Sequence, residues 1–242
     1  MRRIELSLIL PCYNEAEHFK TSSEFILNTL KKTSYTFEII FVEDKSKDGT
    51  TALIKEFIGS HQNEHIKAIF FNKNKGRGKA VTEGILSAKG LFVGFIDIDC
   101  EVSPEYISQF IQKLKQGYDV VCGKRIYRIS VSGFVRAAVS RIYSFIMKLL
   151  LNTQLEDTEA GYKFFRKDKI IPVLSQVKDK GWFWDTEIMV RAERRGLEMT
   201  FLPVVFNRRT DKTSTVKLWS DSAAYFRKLL SFRNQLLKEY HE

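Results

Sequence analysis

Leu91-Phe92-Val93-Gly94-Phe95-Ile96-Asp97-Ile98-Asp99-Cys100-Glu101 is the stretch on which the fold turns. Its first part, Leu91 to Ile96, is apolar throughout, the pattern of a strand covered on both faces. Charge then arrives abruptly. Residues i and i+2 of an extended chain point to one side, so Asp97 and Asp99 project together. Two carboxylates placed this way repel unless a cation sits between or near them. Hard oxygen donors with open positions suit Mg²⁺ or Mn²⁺ bridging to phosphate oxygens. Glu101, one step further on, is a third and weaker candidate ligand. An Asp-x-Asp in a solvated turn is commonplace, but one set directly behind a buried strand is a stronger sign of a site.

Outward from this strand the chain alternates between two periods. Short β-rich runs lie at Leu6–Leu10, Phe37–Val42, Ile66–Phe71 and Val120–Cys122. Between them, helical spacing covers Glu15–Lys32, a segment opening at Asp48-Gly49-Thr50, and Gly76–Ala88. Ser103-Pro104-Glu105 is a helix start, with Ser as cap and Pro at the first helical position. Apolar strands separated by helices of about 10 to 15 residues predict an α/β fold: a Rossmann-like, mostly parallel sheet with helices on both faces. After Arg125 the rhythm changes. Residues 133–151 are apolar but broken by Arg136, Arg141 and Lys148, and residues 161–165 and 199–206 read as strands. Residues 217–240 read as an amphipathic basic helix. No repeat or Pro/Ser-rich linker interrupts the chain. The expected organisation is one domain over 1–215 and a C-terminal helical extension over 216–242.

Composition narrows the function classes. The 242 residues include 4 Pro and 13 Gly, too few for collagen-like or linker-dominated chains. Hydrophobic residues at 44% supply a full core. Lys and Arg outnumber Asp and Glu by 39 to 29, so the chain should be drawn to something anionic. Those cations are scattered among carboxylates rather than clustered with aromatics, which argues against nucleic acid as partner. Cys12, Cys100 and Cys122 sit in apolar runs without CxxC spacing, and read as buried thiols in a reducing compartment. The N-terminal apolar run is too short for a signal peptide and soon meets Pro11 and Asn14-Glu15. No uninterrupted apolar run reaches the roughly 18 residues of a spanning helix. The expectation is a cytoplasmic protein, soluble or peripheral on a membrane.

In open α/β sheets ligands bind beyond the carboxyl ends of the strands. Those ends read Pro11-Cys12-Tyr13-Asn14-Glu15, Glu43-Asp44-Lys45-Ser46-Lys47-Asp48-Gly49-Thr50, Asp97-Ile98-Asp99 and Gly123-Lys124-Arg125. Polarity resumes at any strand end, yet that alone explains poorly why two ends are acidic and a third cationic. Asp44 is placed to accept a nucleobase N–H, or else to help cap the next helix, a task Ser46 or Asp48 can also perform. Gly76-Arg77-Gly78-Lys79 fails the phosphate-loop spacing, because Ala80 stands where a hydroxyl residue would hold Mg²⁺. It also fails G-x-G-x-x-G, with Val81 at the third glycine. Its cations, Lys79 among them, remain candidates for facing a diphosphate.

Taken in order, Pro11-x-Tyr13-Asn14-Glu15, Glu43-Asp44-x-Ser46-x-Asp48-Gly49-Thr50, Asn74-Lys75-Gly76-x-Gly78, Asp97-x-Asp99 and Gly123-x-Arg125 resemble the family-2 glycosyltransferases of GT-A fold. Asp157-Thr158-Glu159-Ala160-Gly161-Tyr162-Lys163, Gly181-Trp182-Phe183-Trp184-Asp185-Thr186-Glu187 and Arg209 to Ser214 resemble blocks of the dolichyl/polyprenyl-phosphate mannose and glucose synthase branch. The resemblance spans about residues 4–217. It implies that Pro11, Tyr13, Glu15 and Asp44 line a nucleotide pocket. It implies that Asp97 and Asp99 place a metal and the diphosphate, and that Arg125, Arg136, Arg209 and Ser214 face donor or acceptor phosphates. Glu43, Glu101, Glu159 and Thr215 depart from the residues usual at those positions, which bears on the lipid-phosphate assignment more than on glycosyl transfer.

The implied reaction is inverting, metal-dependent transfer from a UDP- or GDP-sugar. With a polyprenyl phosphate acceptor, already anionic at pH 7, no base is needed; a saccharide hydroxyl would need one. Asp185 is the candidate base in that case, and equally a candidate for fixing the Trp182–Trp184 segment or capping the helix that follows. Residues 133–151 and 217–240 mix apolar residues with spaced cations, which suits either a membrane interface or packing on the core or on a second subunit.

Overall fold

The computed structural model describes residues 3–62, 64–127, 145–207 and 218–241. Its centre is β1 (Leu6–Cys12), hydrogen-bonded on one side to β2 (Phe37–Glu43) and on the other to β4 (Phe92–Ile96). Leu6 lies opposite both Phe37 and Phe92, and all three strands run parallel. β3 (Ile66–Phe70) extends the parallel set beyond β2. The chain therefore walks outward from β1 through α1 (Phe19–Lys31), β2, α2 (Thr50–Ser60) and β3. It then returns over α3 (Arg77–Ser87) to place β4 on the far side of β1. The β1/β4 boundary is a topological switch point, where neighbouring connections diverge and leave a crevice beyond the strand ends.

The remaining strands depart from simple parallel order. The complete sheet runs β3-β2-β1-β4-β6-β5-β7. β6 (Tyr162–Arg166) is inserted between β4 and β5 (Val120–Tyr127), antiparallel to both, while β7 (Met199–Phe206) pairs parallel with β5. β5 runs to Tyr127 rather than stopping at Cys122, where the apolar run ends. Its charged half, Lys124 and Arg125 included, is held by continuous pairing with β7 rather than by burial of apolar side chains.

Helices cover both faces. Phe19, Ile26, Ile54, Phe57, Phe110 and Leu114 from α1, α2 and α4 (Ile107–Lys115) fill one layer. The other layer joins α3, a helix over 145–151 (α5), α6 (Lys167–Leu174), α7 (Trp184–Arg194) and α8 (Leu218–His241) through Val81, Met147, Val173, Trp184, Ile188 and Phe232. α1 begins later than its apolar spacing suggests. The amides of Glu15 and Ala16 are drawn instead to Thr50 and Asp48, so the chain crosses to α2 before it coils.

The C-terminal helix completes the core. Leu229, Phe232 and Leu236 are buried, and the ring of Phe183 packs edge-on against Tyr225 and Phe232 at 5.1 and 5.6 Å. Arg191 on α7 donates to both carboxylate oxygens of Glu239. The opposite side of α8 exposes Phe226, Leu230 and Leu237 beside Arg227, Arg233 and Lys238. Among the described residues, no helix is long and apolar enough to cross a membrane. The boundary expected at residue 215 lies outside the described residues, as do Arg136, Arg209 and Ser214.

Candidate functional site

The floor of the crevice is built from the loops after β1 and β2, laced together by short polar side chains. Asn14, in the left-handed region at φ 56°, donates its amide to Ser46 and accepts the Lys47 amide on its side chain. Asp48 accepts the amide of Ala16 with one oxygen and that of Thr50 with the other. Glu43, buried at the strand end, accepts the amides of Lys45 and Ser46. Tyr13 is left exposed at the mouth of this loop pair, with Pro11 and Glu15 partly covered beside it.

Asp44 clamps the next wall. It is buried, and its two oxygens accept the amides of Lys75 at 2.6 Å and Gly76 at 2.8 Å. Burial pushes its carboxyl above the usual range, against the pull of those two amides. Each carboxylate oxygen has a second lone pair, so the clamp does not exhaust its capacity to accept. Gly76 has φ 93°, and a Cβ there would overlap the carbonyl of Lys180; only glycine lets the loop turn so close to the segment before α7. The turn releases α3, whose first residue is Arg77.

Arg77 reaches across the crevice to the acid pair. Its Nε and Nη2 both donate to Asp97 Oδ1, at 2.9 and 2.6 Å, and its Nη1 donates to Asp185 Oδ2 at 2.5 Å. Lys163, wholly buried on β6, donates to the other oxygen of Asp185 at 2.6 Å and to the Ala160 carbonyl at 2.5 Å. Two carboxylates and two cations thus close a tetrad. The guanidinium also lies over the rings of Phe95 and Trp182, at 5.2 and 5.1 Å. Burial pushes the Asp97 carboxyl up, as do the nearby charges of Asp99 and Asp185, while Arg77 opposes them. Asp99 accepts the Glu101 amide at 3.2 Å.

The donor set fits a hard divalent cation. Arg77 engages only Oδ1 of Asp97, and Asp99 follows two residues on, in a turn closed by the Cys100 amide on the Asp97 carbonyl rather than on the extended strand its spacing suggested. A cation such as Mg²⁺ is commonly held by one or two carboxylates, with substrate phosphates and water completing its shell. Among the described residues no three acidic, His or Cys side chains converge as one ligand set.

At the end of β5, Arg125 makes two parallel hydrogen bonds to Asp157, both at 2.9 Å, and a longer one of 3.4 Å to Glu159. Burial would raise the Asp157 carboxyl, but the guanidinium overrides it and holds Asp157 below the usual range. Lys79 lies on α3, paired with Glu83. The structure therefore gathers Asp97, Asp99 and Asp185 around the crevice, with Tyr13, Glu15 and Asp44 on its adjoining wall.

Two residues of the tetrad were not read as partners of the acids: Arg77 was a candidate only for a diphosphate, and Lys163 stood only within a matched block. Arg77 hides between two glycines in a segment that fails both glycine fingerprints. Lys163 offered a signal: it is a lone cation in the strand Tyr162-Lys163-Phe164-Phe165, and a buried lysine demands a buried acid. Gly161 exposes how tightly the tetrad is fitted. A Cβ built there would overlap Asp97 Oδ2 and crowd Arg77 Nη2. Gly161→Ala is expected to push the carboxylate out of position while leaving the fold intact. Mn²⁺ binding at the acid pair should weaken by about tenfold or more, equivalent to about 1.4 kcal/mol, and an isothermal titration within twofold of wild type would count against this geometry.

Comparison with known proteins agrees with this architecture. The family model described as glycosyl transferase family 2 matches residues 7–174. The glycosyltransferase AglD of Haloferax volcanii is 28% identical over 213 residues, covering 86% of this chain and 34% of that protein. The chain thus spans about a third of that relative's length. A dolichyl-phosphate β-glucosyltransferase of Drosophila melanogaster is 26% identical over 232 residues, covering 90% of this chain and 71% of the relative. Among solved structures, glucosyl-3-phosphoglycerate synthase of Mycobacterium tuberculosis, in complex with Mn²⁺, UDP and glucosyl-3-phosphoglycerate, superposes with a TM-score of 0.66 at 17% identity. That likeness covers 94% of this chain and 77% of the other, and shows a shared GT-A fold.

Proposed function

The chain belongs to glycosyl transferase family 2, and from that premise we propose that it moves a sugar from a UDP- or GDP-linked donor to a polyprenyl or dolichyl phosphate at a membrane surface, with inversion at the anomeric carbon. The observation that carries the proposal is the Asp97/Asp99 pair beyond β4 at the switch point, at the same end of the parallel strands as the loops that carry Tyr13, Glu15 and Asp44. Pro11, Tyr13, Glu15 and Asp44 line the nucleotide pocket, with Lys79 near the diphosphate. Asp97 and Asp99 hold Mg²⁺ or Mn²⁺, which when bound would offset the charge developing on the leaving diphosphate. Arg125, aligned by Asp157, faces phosphate together with Arg136, Arg209 and Ser214.

The environment of Asp185 supports the phosphate acceptor. Its two oxygens are taken by Lys163 and Arg77, and the residue is 2% exposed. So engaged, it orients Arg77 and anchors the segment carrying Trp182 rather than drawing a proton from an acceptor hydroxyl. A phosphate acceptor, which needs no base, suits such a site better than a sugar hydroxyl. The relative from Drosophila, named for transfer to dolichyl phosphate, supports the same class. Residues 1–215 form the transfer domain, and α8, within the segment 216–242, lays its exposed face on the cytoplasmic leaflet. There Phe226, Leu230 and Leu237 supply apolar area and Arg227, Arg233 and Lys238 attract anionic headgroups.

The direct test is thermal stabilisation by UDP and GDP with and without Mn²⁺, followed by transfer of labelled sugar from the stabilising nucleotide's sugar conjugate to a polyprenyl phosphate. Metal-dependent stabilisation by one nucleotide and a glycolipid product are expected. Stabilisation without lipid transfer, but with transfer to a saccharide, would reassign the acceptor. For the membrane face, Phe226→Glu combined with Leu230→Glu and Leu237→Glu should reduce co-sedimentation with phosphatidylglycerol-containing vesicles by about tenfold or more. All three side chains are exposed, so the melting temperature should hold. Unchanged sedimentation would remove this face from the lipid surface.

A further inference from the structure

We infer that the indole of Trp182 is the platform on which the donor's sugar ring lies, and that it sets how strongly the crevice holds a sugar conjugate relative to the bare nucleotide. Trp182 differs from its neighbours. Phe183 and Trp184, the next two residues, are buried, and the Trp184 indole N–H donates to Thr82 at 2.9 Å. Trp182 is 62% exposed, yet its ring lies 5.1 Å from the Arg77 guanidinium that ties Asp97 to Asp185. A large apolar surface is thus kept open directly beside the tetrad.

The segment that carries it is fixed by three helices. The Lys180 carbonyl accepts the Lys79 amide of α3 at 3.0 Å. Asp179 accepts the Gly181 amide at 2.7 Å with one oxygen and Lys228 of α8 at 2.6 Å with the other. Glu187 of α7 accepts the amides of Lys178 and Asp179. A mount fixed in advance lowers the ordering cost of whatever stacks on the ring.

An indole face selects its ligand by chemistry. The face is negative and attracts partly positive C–H bonds. One side of a pyranose is a patch of such bonds, and its rim carries hydroxyls. The crevice has a counterpart for each. Trp182 meets the C–H face. Arg77 can meet the rim, because its hydrogen bonds to Asp97 and Asp185 use three of the five N–H groups of a guanidinium. An aromatic wall with a few placed polar groups is the general build of a small-molecule site. With the base on Asp44 and the diphosphate at the acid pair, the group left beside Trp182 is the sugar. The inference rests on the nucleotide-sugar reading above and names a sugar-contacting residue within it.

The experiment is isothermal titration of the full chain, in Mn²⁺, with UDP, GDP, UDP-glucose and GDP-mannose. Trp182→Ala should weaken the better-bound conjugate by about tenfold or more, the scale on which removing a stacked aromatic acts, while its bare nucleotide stays within about twofold of wild type. Trp182→Leu still covers Arg77 but has no ring face. It should lose roughly fivefold or more for the conjugate, and it carries the test should the Ala variant fail to fold. Trp182→Phe keeps a smaller ring and should stay within roughly threefold of wild type. Equal losses for nucleotide and conjugate, or no loss for the conjugate in any variant, overturn the platform and leave the donor site standing. So does a wild-type chain that binds a nucleotide but holds both conjugates about tenfold or more weakly than it. A wild-type chain that binds none of the four overturns the donor site and the platform together.

Discussion

Asp99→Asn is expected to abolish metal-dependent stabilisation by nucleotide and to lower sugar transfer by about a hundred- to a thousandfold. The reason is charge rather than shape. Arg77 is bound to Asp97, and Asp99 adds a second negative charge beside it. The amide keeps a carbonyl that can still accept the Glu101 hydrogen bond made by Asp99 Oδ1, so the turn after β4 should survive. What is lost is the anionic oxygen that a hard cation prefers. Removal of one preorganised electrostatic contact to a developing anion typically costs about 10²–10³ in rate. Two measurements separate the possibilities. Melting without ligand should match wild type to within about 1 °C, a shift worth well under 1 kcal/mol for a chain of this size. Nucleotide with Mn²⁺ should then add nothing. A folded Asp99→Asn protein that transfers sugar at near the wild-type rate would sink the assignment of this acid pair to the donor site.

Lys163→Met should produce the largest loss of stability of any single change in the site. The ammonium is wholly buried and donates to Asp185 and to the Ala160 carbonyl. Methionine matches its length but supplies no donor. Asp185 would keep Arg77 but lose half of its compensation in a setting with almost no water, and the Ala160 carbonyl would lose its partner. Breaking a buried pair from one side costs about 3–5 kcal/mol. For a chain of this size that corresponds to a fall in melting temperature of roughly 6 °C or more. Adding Asp185→Asn to Lys163→Met removes the stranded charge and should recover part of the loss, on the order of 1 kcal/mol. A single-variant melt within about 1 °C of wild type would mean that the pair contributes little net stability. A double variant no better than the single would mean that the penalty lies in packing rather than in charge.

The two predictions draw on different kinds of information. Asp99 was legible before any coordinates, because its signal is local: a buried apolar strand followed at once by two acids in alternate positions. The same holds for the strands and helices of the first 125 residues, whose periods of 2 and 3.6 follow from backbone geometry acting over a few residues. The order of polar strand ends, and the blocks at Asp157–Lys163 and Gly181–Glu187, were sufficient to indicate the family now matched over residues 7–174.

Tertiary structure decided the rest, and for one physical reason. Periodicity says which faces are apolar, not which strand lies beside which. The apolar character of Tyr162–Arg166 gave no hint that this strand would run antiparallel between β4 and β5. An exposed and a buried face on α8 were both compatible with its spacing, until Leu229, Phe232 and Leu236 were seen against α7. Arg77 and Asp185 are 108 residues apart. Nothing within a few residues of either marks the other as its partner, because an ion pair is selected by distance in space and by the absence of competing water. The chain alone therefore determined the repeating elements and the family. The fold determined which cation stands beside Asp97.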